Sequence, residues 1–491
     1  MELERLANAV LWPGFLGRTV PAWLDAALRS GLAGVVYFGQ NVGGDLAALS
    51  AGIRAANPRA LIGIDEEGGS VTRLEAATGS TLPGAAQLGA LDDVTASRAI
   101  GAELAHRVRA IGADVVLGPV ADVNTDPRNP VIGVRAFGDD AELVSRHVVA
   151  TVQGIQQGGV AACVKHFPGH GDTHLDSHHD LPRIAVDPAE IERVHLAPFR
   201  AAIAAGVDAV MTAHIVVPAW GEEPATLNPR VLGMLRELGF EGVIITDALD
   251  MAAIRESVGI GGGAVQALAA GADLLCIGNP TNPGAAALPD QDERDYRTAR
   301  DAIVAALRDG SLSRERVAEA GSRVAALART LAAAPAEGAD GSAVDVAEVV
   351  RRALRVRGDV PAAADLFVVD ARRSSTLAVD SAAGYVAEAL AAGGPRVRID
   401  TARLSAQERD AHVEAVLGRV EGRRIAVLVD RIDTDPAQRA LVETFADRVD
   451  DVVAVNVGLP AADVAVPVIE VGAASRIGAE LARERLVGAG R

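Results

Sequence analysis

Short apolar runs rich in β-prone residues recur along the first 280 or so residues, separated by segments of helical periodicity. They are Ala9–Trp12, Gly34–Phe38, Leu61–Asp65, Asp114–Leu117, Ala161–Val164, Ala209–Thr212, Val243–Thr246 and Asp273–Ile277, eight in all. The runs are nearly continuous in apolar character rather than alternating, which marks strands covered on both faces, as in a parallel sheet. Eight strand–helix units predict an α/β fold whose N-terminal part is a (β/α)₈, TIM-like barrel, with an open doubly wound sheet as the alternative that the count of eight disfavours.

The polar positions follow the same rhythm. Asp65, Lys165 with His166, His214 and Asp247 each stand at or just after the end of one of these runs. In a barrel those ends form the C-terminal mouth, where catalytic groups collect. Periodicity breaks at Ala332–Ser342, a stretch of Ala, Gly, Pro and acidic residues that reads as a linker. Strand-like runs then resume at Leu366–Val369, Ile425–Val429, Val452–Val455 and Val468–Ile469, with a helical segment at Leu404–Arg419. The expected division is a barrel over residues 1–335, a linker over 336–360 and a smaller, sandwich-like α/β domain over 361–491. No ionisable cluster is evident in the last, which suggests a role in structure or assembly.

Composition narrows the possibilities. A chain of 491 residues suits two or three domains, and 49% apolar residues supply a large core. Acidic residues outnumber Lys plus Arg by 65 to 47, a net charge of −18, which disfavours nucleic acid or an anionic membrane as a partner. Cys163 and Cys276 each lie in an apolar run, unlike the halves of a disulfide. With an acidic start (Met1-Glu2-Leu3-Glu4) and no run of roughly 18 apolar residues, the expectation is a cytoplasmic, soluble protein. Arginine supplies nearly all positive charge, and Lys165 is the sole lysine. A lysine kept against such a bias is a candidate for work that needs an ammonium group, chance survival being the ordinary alternative.

The chemistry-bearing residues concentrate in Lys165–Asp180, which holds five of the ten histidines. His166, His170, His174 and His178 are spaced by four, but Pro168, Gly169 and Gly171 argue for a loop and against a metal-binding helix face. Within the stretch, Asp176-Ser177-His178 can form a dyad. An aspartate two residues from a histidine holds one ring nitrogen and leaves the other to move a proton. A solvated polar loop is the plainer reading. Asp247, after an apolar strand, suits a nucleophile that attacks an anomeric carbon, with helix capping as its ordinary rival and Asp250 as a competing cap.

Taken together, Lys165–Gly171 with Asp176-Ser177-His178, Ile64–Gly69, Asn129–Gly138, Met211–His214 and Thr246–Leu249 resemble the signature segments of glycoside hydrolase family 3 β-N-acetylglucosaminidases of the bacterial cell-wall recycling type. The resemblance runs in order over roughly residues 8–330. It implies a retaining β-N-acetylhexosaminidase with Asp247 as nucleophile and His178, oriented by Asp176, as acid/base in place of a second carboxylate. Asp65, Arg73, Arg135, Lys165, His166 and His214 would hold the sugar. No cofactor or metal is implied, and the partner is a small carbohydrate: an N-acetylglucosaminide, muropeptide fragment or chitin fragment. Departures are Ile244-Ile245-Thr246 where Phe-Ser is common, and Ala248 where a second acidic residue often stands. The shortest family members lack the C-terminal domain. Rival readings are a phosphorylase with inorganic phosphate as acceptor, a metal-dependent hydrolase using the histidine-rich loop, and a sugar-binding barrel without turnover.

Overall fold

The computed structural model describes residues 2–173, 181–282, 288–334, 344–373 and 383–488. All eight apolar runs are strands: β1 Leu11–Pro13, β2 Gly34–Tyr37, β3 Leu61–Ile64, β4 Val115–Val116, β5 Ala161–Phe167, β6 Ala209–Thr212, β7 Val243–Ile245 and β8 Leu275–Gly278. β2 to β7 pair in sequence order, each parallel to the next, and β1 pairs with β8 in parallel. An isolated parallel bridge between Ile245 and Leu274 joins β7 to the β8 segment, and Ala33 N donates to Asn8 O (2.9 Å) between the β1 and β2 segments. The order is that of a (β/α)₈ barrel.

Its interior is packed by Trp12, Val36, Leu61, Val115, Cys163, Met211, Ile245 and Cys276, with Val324, Leu327 and Ala328 from helix Arg314–Ala333. Trp12 lies against Gly63, where a Cβ would come within 2.2 Å of the indole ring, and its Nε1 donates to Leu61 O (2.9 Å). Outside the strands, helices Val94–Ala110 and Ala141–Gln157 approach closely through glycine: a Cβ on Gly154 would lie 2.1 Å from Arg98 O. Ser97 Oγ and His147 Nδ1 pair at 2.7 Å in the same interface, which accounts for one buried histidine.

Two units emerge from the chain. The first comprises residues 1–67, 94–132 and 139–344; the second comprises 68–93, 133–138 and 345–491. The second carries a six-stranded sheet built from β9 Arg355–Arg357, β10 Leu366–Asp370, β11 Arg396–Arg398, β12 Arg424–Val429, β13 Val452–Asn456 and β14 Val468–Glu470. The spatial order is β11-β10-β12-β13-β14-β9, parallel except for β9. Alternate residues feed opposite faces: Leu366, Val368, Ala426 and Leu428 pack on one side, Phe367, Val369, Ile425 and Val427 on the other. Both faces are therefore covered, as the unbroken apolar runs require.

Helix Val346–Ala353 and strand β9 fall inside the stretch expected to be linker, 336–360. Asp345 caps that helix by accepting from Glu348 N (3.0 Å), a start signal present in the sequence. The second unit also holds a buried ionic cluster that the sequence reading missed. Arg372 donates twice to Asp370 (both 2.9 Å), and Arg373 N donates to Asp430 Oδ1 (3.0 Å). Its members come from two separate strand ends, so no sequence window contains it. Among the described residues, no helix is long and apolar enough to cross a membrane.

Candidate active site

In the first unit, Asp65 directly follows β3, Lys165 and His166 lie near the end of β5, His214 comes two residues after β6 and Asp247 two after β7. Parallel strands bring these ends to one mouth. The Lys165 ammonium donates to Asp65 Oδ1 and Glu67 Oε1, both at 2.7 Å, with its side chain 3% exposed. Two carboxylates compensate the charge of an ammonium so enclosed. Two residues before Lys165, the Cys163 thiol is pushed up first by burial; Lys165 opposes the shift, while Asp65 and Asp247 add to it. Asp65, Lys165 and Asp247 thus act on one shared interior.

His166 is positioned from the chain that follows β4. Its Nδ1 pairs with Asp122 Oδ2 at 2.8 Å, and Asp122 Oδ1 accepts from His166 N (3.1 Å) and His170 N (2.7 Å). Burial alone would raise the Asp122 carboxyl, but the charge and hydrogen bonds of His166 and His170 outweigh it and hold the carboxyl below its usual range. The Lys165–His166 and Phe167–Pro168 peptide bonds are cis. The His170 imidazole is lowered to about 4, chiefly by burial, with Asp122 opposing and His166 reinforcing; at neutral pH it is uncharged.

Asp247 is half-buried and its Oδ1 accepts from Ala248 N (2.7 Å). Helix Ala252–Arg255 begins after Met251 and has no side-chain cap, so neither Asp247 nor Asp250 spends its carboxylate there. His214, expected to touch sugar, engages protein at both ring nitrogens: Nε2 with Ala248 O (2.9 Å) and Nδ1 with Thr226 Oγ1 (2.9 Å). A carbonyl only accepts, so Nε2 carries a hydrogen and braces the turn next to Asp247.

Arg73 and Arg135 belong to the second unit, Arg135 buried in the turn Gly133–Arg135 and Arg73 half-buried. Asp176 and His178 lie outside the described residues. Among the described residues, no group of three or more His, Cys, Asp or Glu is placed to hold a metal ion. Sequence reasoning missed Glu67 and Asp122. Glu67 could have been found from Asp65-Glu66-Glu67, and Asp122 from Val120-Ala121, which prolongs the fourth apolar run past Pro119.

Residues 25–327 match the glycosyl hydrolase family 3 N terminal domain. The beta-hexosaminidase of Stenotrophomonas maltophilia (strain K279a) is 40% identical over 272 residues, which cover 52% of this chain and 78% of the relative. Beta-hexosaminidase A of Pseudoalteromonas piscicida is 33% identical over 287 residues, covering 53% of this chain and 48% of that protein. Among solved structures, a glycoside hydrolase family 3 beta-N-acetylglucosaminidase from Paenibacillus sp. str. FPU-7 superposes with a TM-score of 0.83 at 31% identity, over 99% of this chain and 97% of that one. With its barrel, its strand-end carboxylates and this match over more than half its length, the chain belongs to glycosyl hydrolase family 3.

Proposed function

We propose that the chain is a retaining glycosidase that removes terminal N-acetyl-β-D-glucosamine, with Asp247 as nucleophile and His178, oriented by Asp176, as acid/base. The observation that carries this reading is half-buried Asp247 two residues past β7, sharing one barrel interior with the Asp65–Lys165 pair. In the first step an Asp247 oxygen bonds to the anomeric carbon, the glycosidic C–O bond breaks, and His178 gives its proton to the leaving oxygen. In the second, His178 takes a proton from water, the water oxygen bonds to the anomeric carbon, and the Asp247 carboxylate is released. Asp65 and Lys165, locked together by their ion pair, present an acceptor and donors to sugar hydroxyls, and Asp122 sets the orientation of His166.

The relatives named beta-hexosaminidase and the neighbour named beta-N-acetylglucosaminidase support this substrate class. The aglycone we assign is a further sugar, of a muropeptide or of a chitin fragment. Asp247→Ala abolishes turnover of an aryl N-acetyl-β-glucosaminide; an active variant would sink the assignment. His178→Ala costs far more on a disaccharide than on an activated aryl glycoside, since only the former needs the proton. The same assay with inorganic phosphate separates hydrolysis from phosphorolysis. An uncharged imidazole base, unlike a carboxylate, does not repel a phosphate dianion, so phosphate can take the place of water as the acceptor, and formation of the sugar 1-phosphate would report it.

A further inference from the structure

We propose that Asp250 is a positioning residue for Asp247: its carboxyl group clasps the loop after β8 and thereby fixes the turn that carries the nucleophile. The inference rests on the role given to Asp247 above.

The turn from Asp247 to Met251 is tied down on its two sides. Leu249 N donates to Cys276 O (2.9 Å) on β8, and Ala248 O accepts from His214. Asp250 supplies the third tie. The residue is 4% exposed, and Oδ2 accepts from Asn282 Nδ2 at 2.8 Å. Oδ1 is buried without a partner among the described residues, seated against the backbone of Gly278: a Cβ there would lie 1.8 Å from it. Only a glycine at 278 leaves that seat open, and its φ of +118° suits glycine as well. Gly278 also accepts from Gly14 N (3.2 Å) and pairs with Pro13. The carboxyl group therefore joins the nucleophile turn to the point where β8 meets β1.

The charges around it favour a neutral acid. Arg255, on the helix that follows, gives its Nε to the Asp250 backbone oxygen (3.1 Å) and its Nη2 to Asp295 (2.9 Å), so the guanidinium is already compensated. Asp295 and Asp247 face Asp250 as like charges, with the buried Cys276 thiol on β8. Burial pushes the Asp250 carboxyl up to about 8 against the opposing pull of Arg255 and Asn282. At neutral pH the clasp is a carboxylic acid, which adds no negative charge beside Asp247.

Variants and spectroscopy test this together. Asp250→Ala should lower kcat on an aryl N-acetyl-β-glucosaminide by about tenfold or more with KM within about threefold, because alignment and not substrate affinity is lost. Asp250→Asn, close in shape to the neutral acid, should retain most of kcat. Asn282→Ala should reproduce part of the loss, and the Asp250→Ala/Asn282→Ala double variant should be no worse than Asp250→Ala. Infrared spectra of the wild type should contain a protonated-carboxyl band that fades as pH rises through about 8 and is missing from Asp250→Asn. Wild-type kcat in Asp250→Ala, additive losses in the double variant, or no such band would each overturn the proposal. If Asp250→Ala does not fold, Asp250→Asn, Asn282→Ala and the band decide. A fully active Asp247→Ala would instead remove the nucleophile assignment, leaving the infrared result intact, so the two failures are distinguishable.

Discussion

Removing an ion from water costs several kcal/mol, so a buried ammonium must be held by partners that are themselves held. Lys165 meets that demand with Asp65 and Glu67, and the arrangement runs in both directions: without the ammonium, two carboxylates are left facing each other. Lys165→Met should therefore lower stability by about 3 kcal/mol, the lower end for breaking a buried pair because Asp65 is 18% exposed. It should also reduce kcat/KM at least about a hundredfold. Urea denaturation and steady-state kinetics check the two halves separately. His170 makes a different prediction. Its folded-state value, about 4, lies below its ordinary 6.5, so the unfolded chain takes up the proton first as pH falls. Stability linked to His170 is full above about 6.5 and is lost between there and about 4, at up to about 1.4 kcal/mol per pH unit. His170→Asn should flatten that part of the stability–pH curve; an unchanged slope would refute the account.

At the level of elements, packing explains what the chain's pattern revealed and what it concealed. The eight barrel strands were legible because each is covered on both faces and so is apolar throughout. Asp122 was harder to see because β4 is two residues long as a strand while its chain runs on beside β5, with Ala121 N donating to Lys165 O (2.6 Å). The helix Val346–Ala353 was taken for linker because the neighbouring Ala/Gly/Pro composition masked one short amphipathic turn set. His214 illustrates a harder case: its strand-end position was legible, but the bracing bonds to Thr226 and Ala248 come from chain segments distant in sequence and were not. The pairing of Val94–Ala110 with Ala141–Gln157 also depends on a detail below the level of pattern. Gly154→Val places a branched side chain against Arg98 O, and should cost about 2 to 3 kcal/mol by chemical denaturation, with kcat of the folded fraction unchanged.

On the scale of the molecule, the second unit is assembled from three stretches of chain, two of them drawn from within the sequence span of the barrel. Segment 68–93 is bound to the C-terminal stretch by specific ties: Ala474 N donates to Ser70 Oγ (2.8 Å), Ile477 N to Ser80 O (3.3 Å), and Arg352 pairs with Asp93 (3.2 Å). A fragment ending at residue 334 strips that segment of these partners. It should melt at a lower temperature than the full chain. An unchanged melting temperature would show that the segment needs none of them. The expected boundary near residue 335 came from a genuine break in periodicity, but a linear reading cannot show that earlier segments join a later unit.

Lys165 has one more consequence, for chemistry done to the protein rather than by it. With a single lysine in 491 residues, every reagent aimed at side-chain amines has one target, and that target lies at the base of the barrel mouth. Because that amine is 3% exposed and held between two carboxylates, reductive methylation of the folded chain should leave it unmodified, and its reaction with labelled formaldehyde would report opening of the site. The same scarcity means that lysine-directed cross-linking and surface immobilisation find no handle on the exterior, so such methods require a lysine to be introduced first.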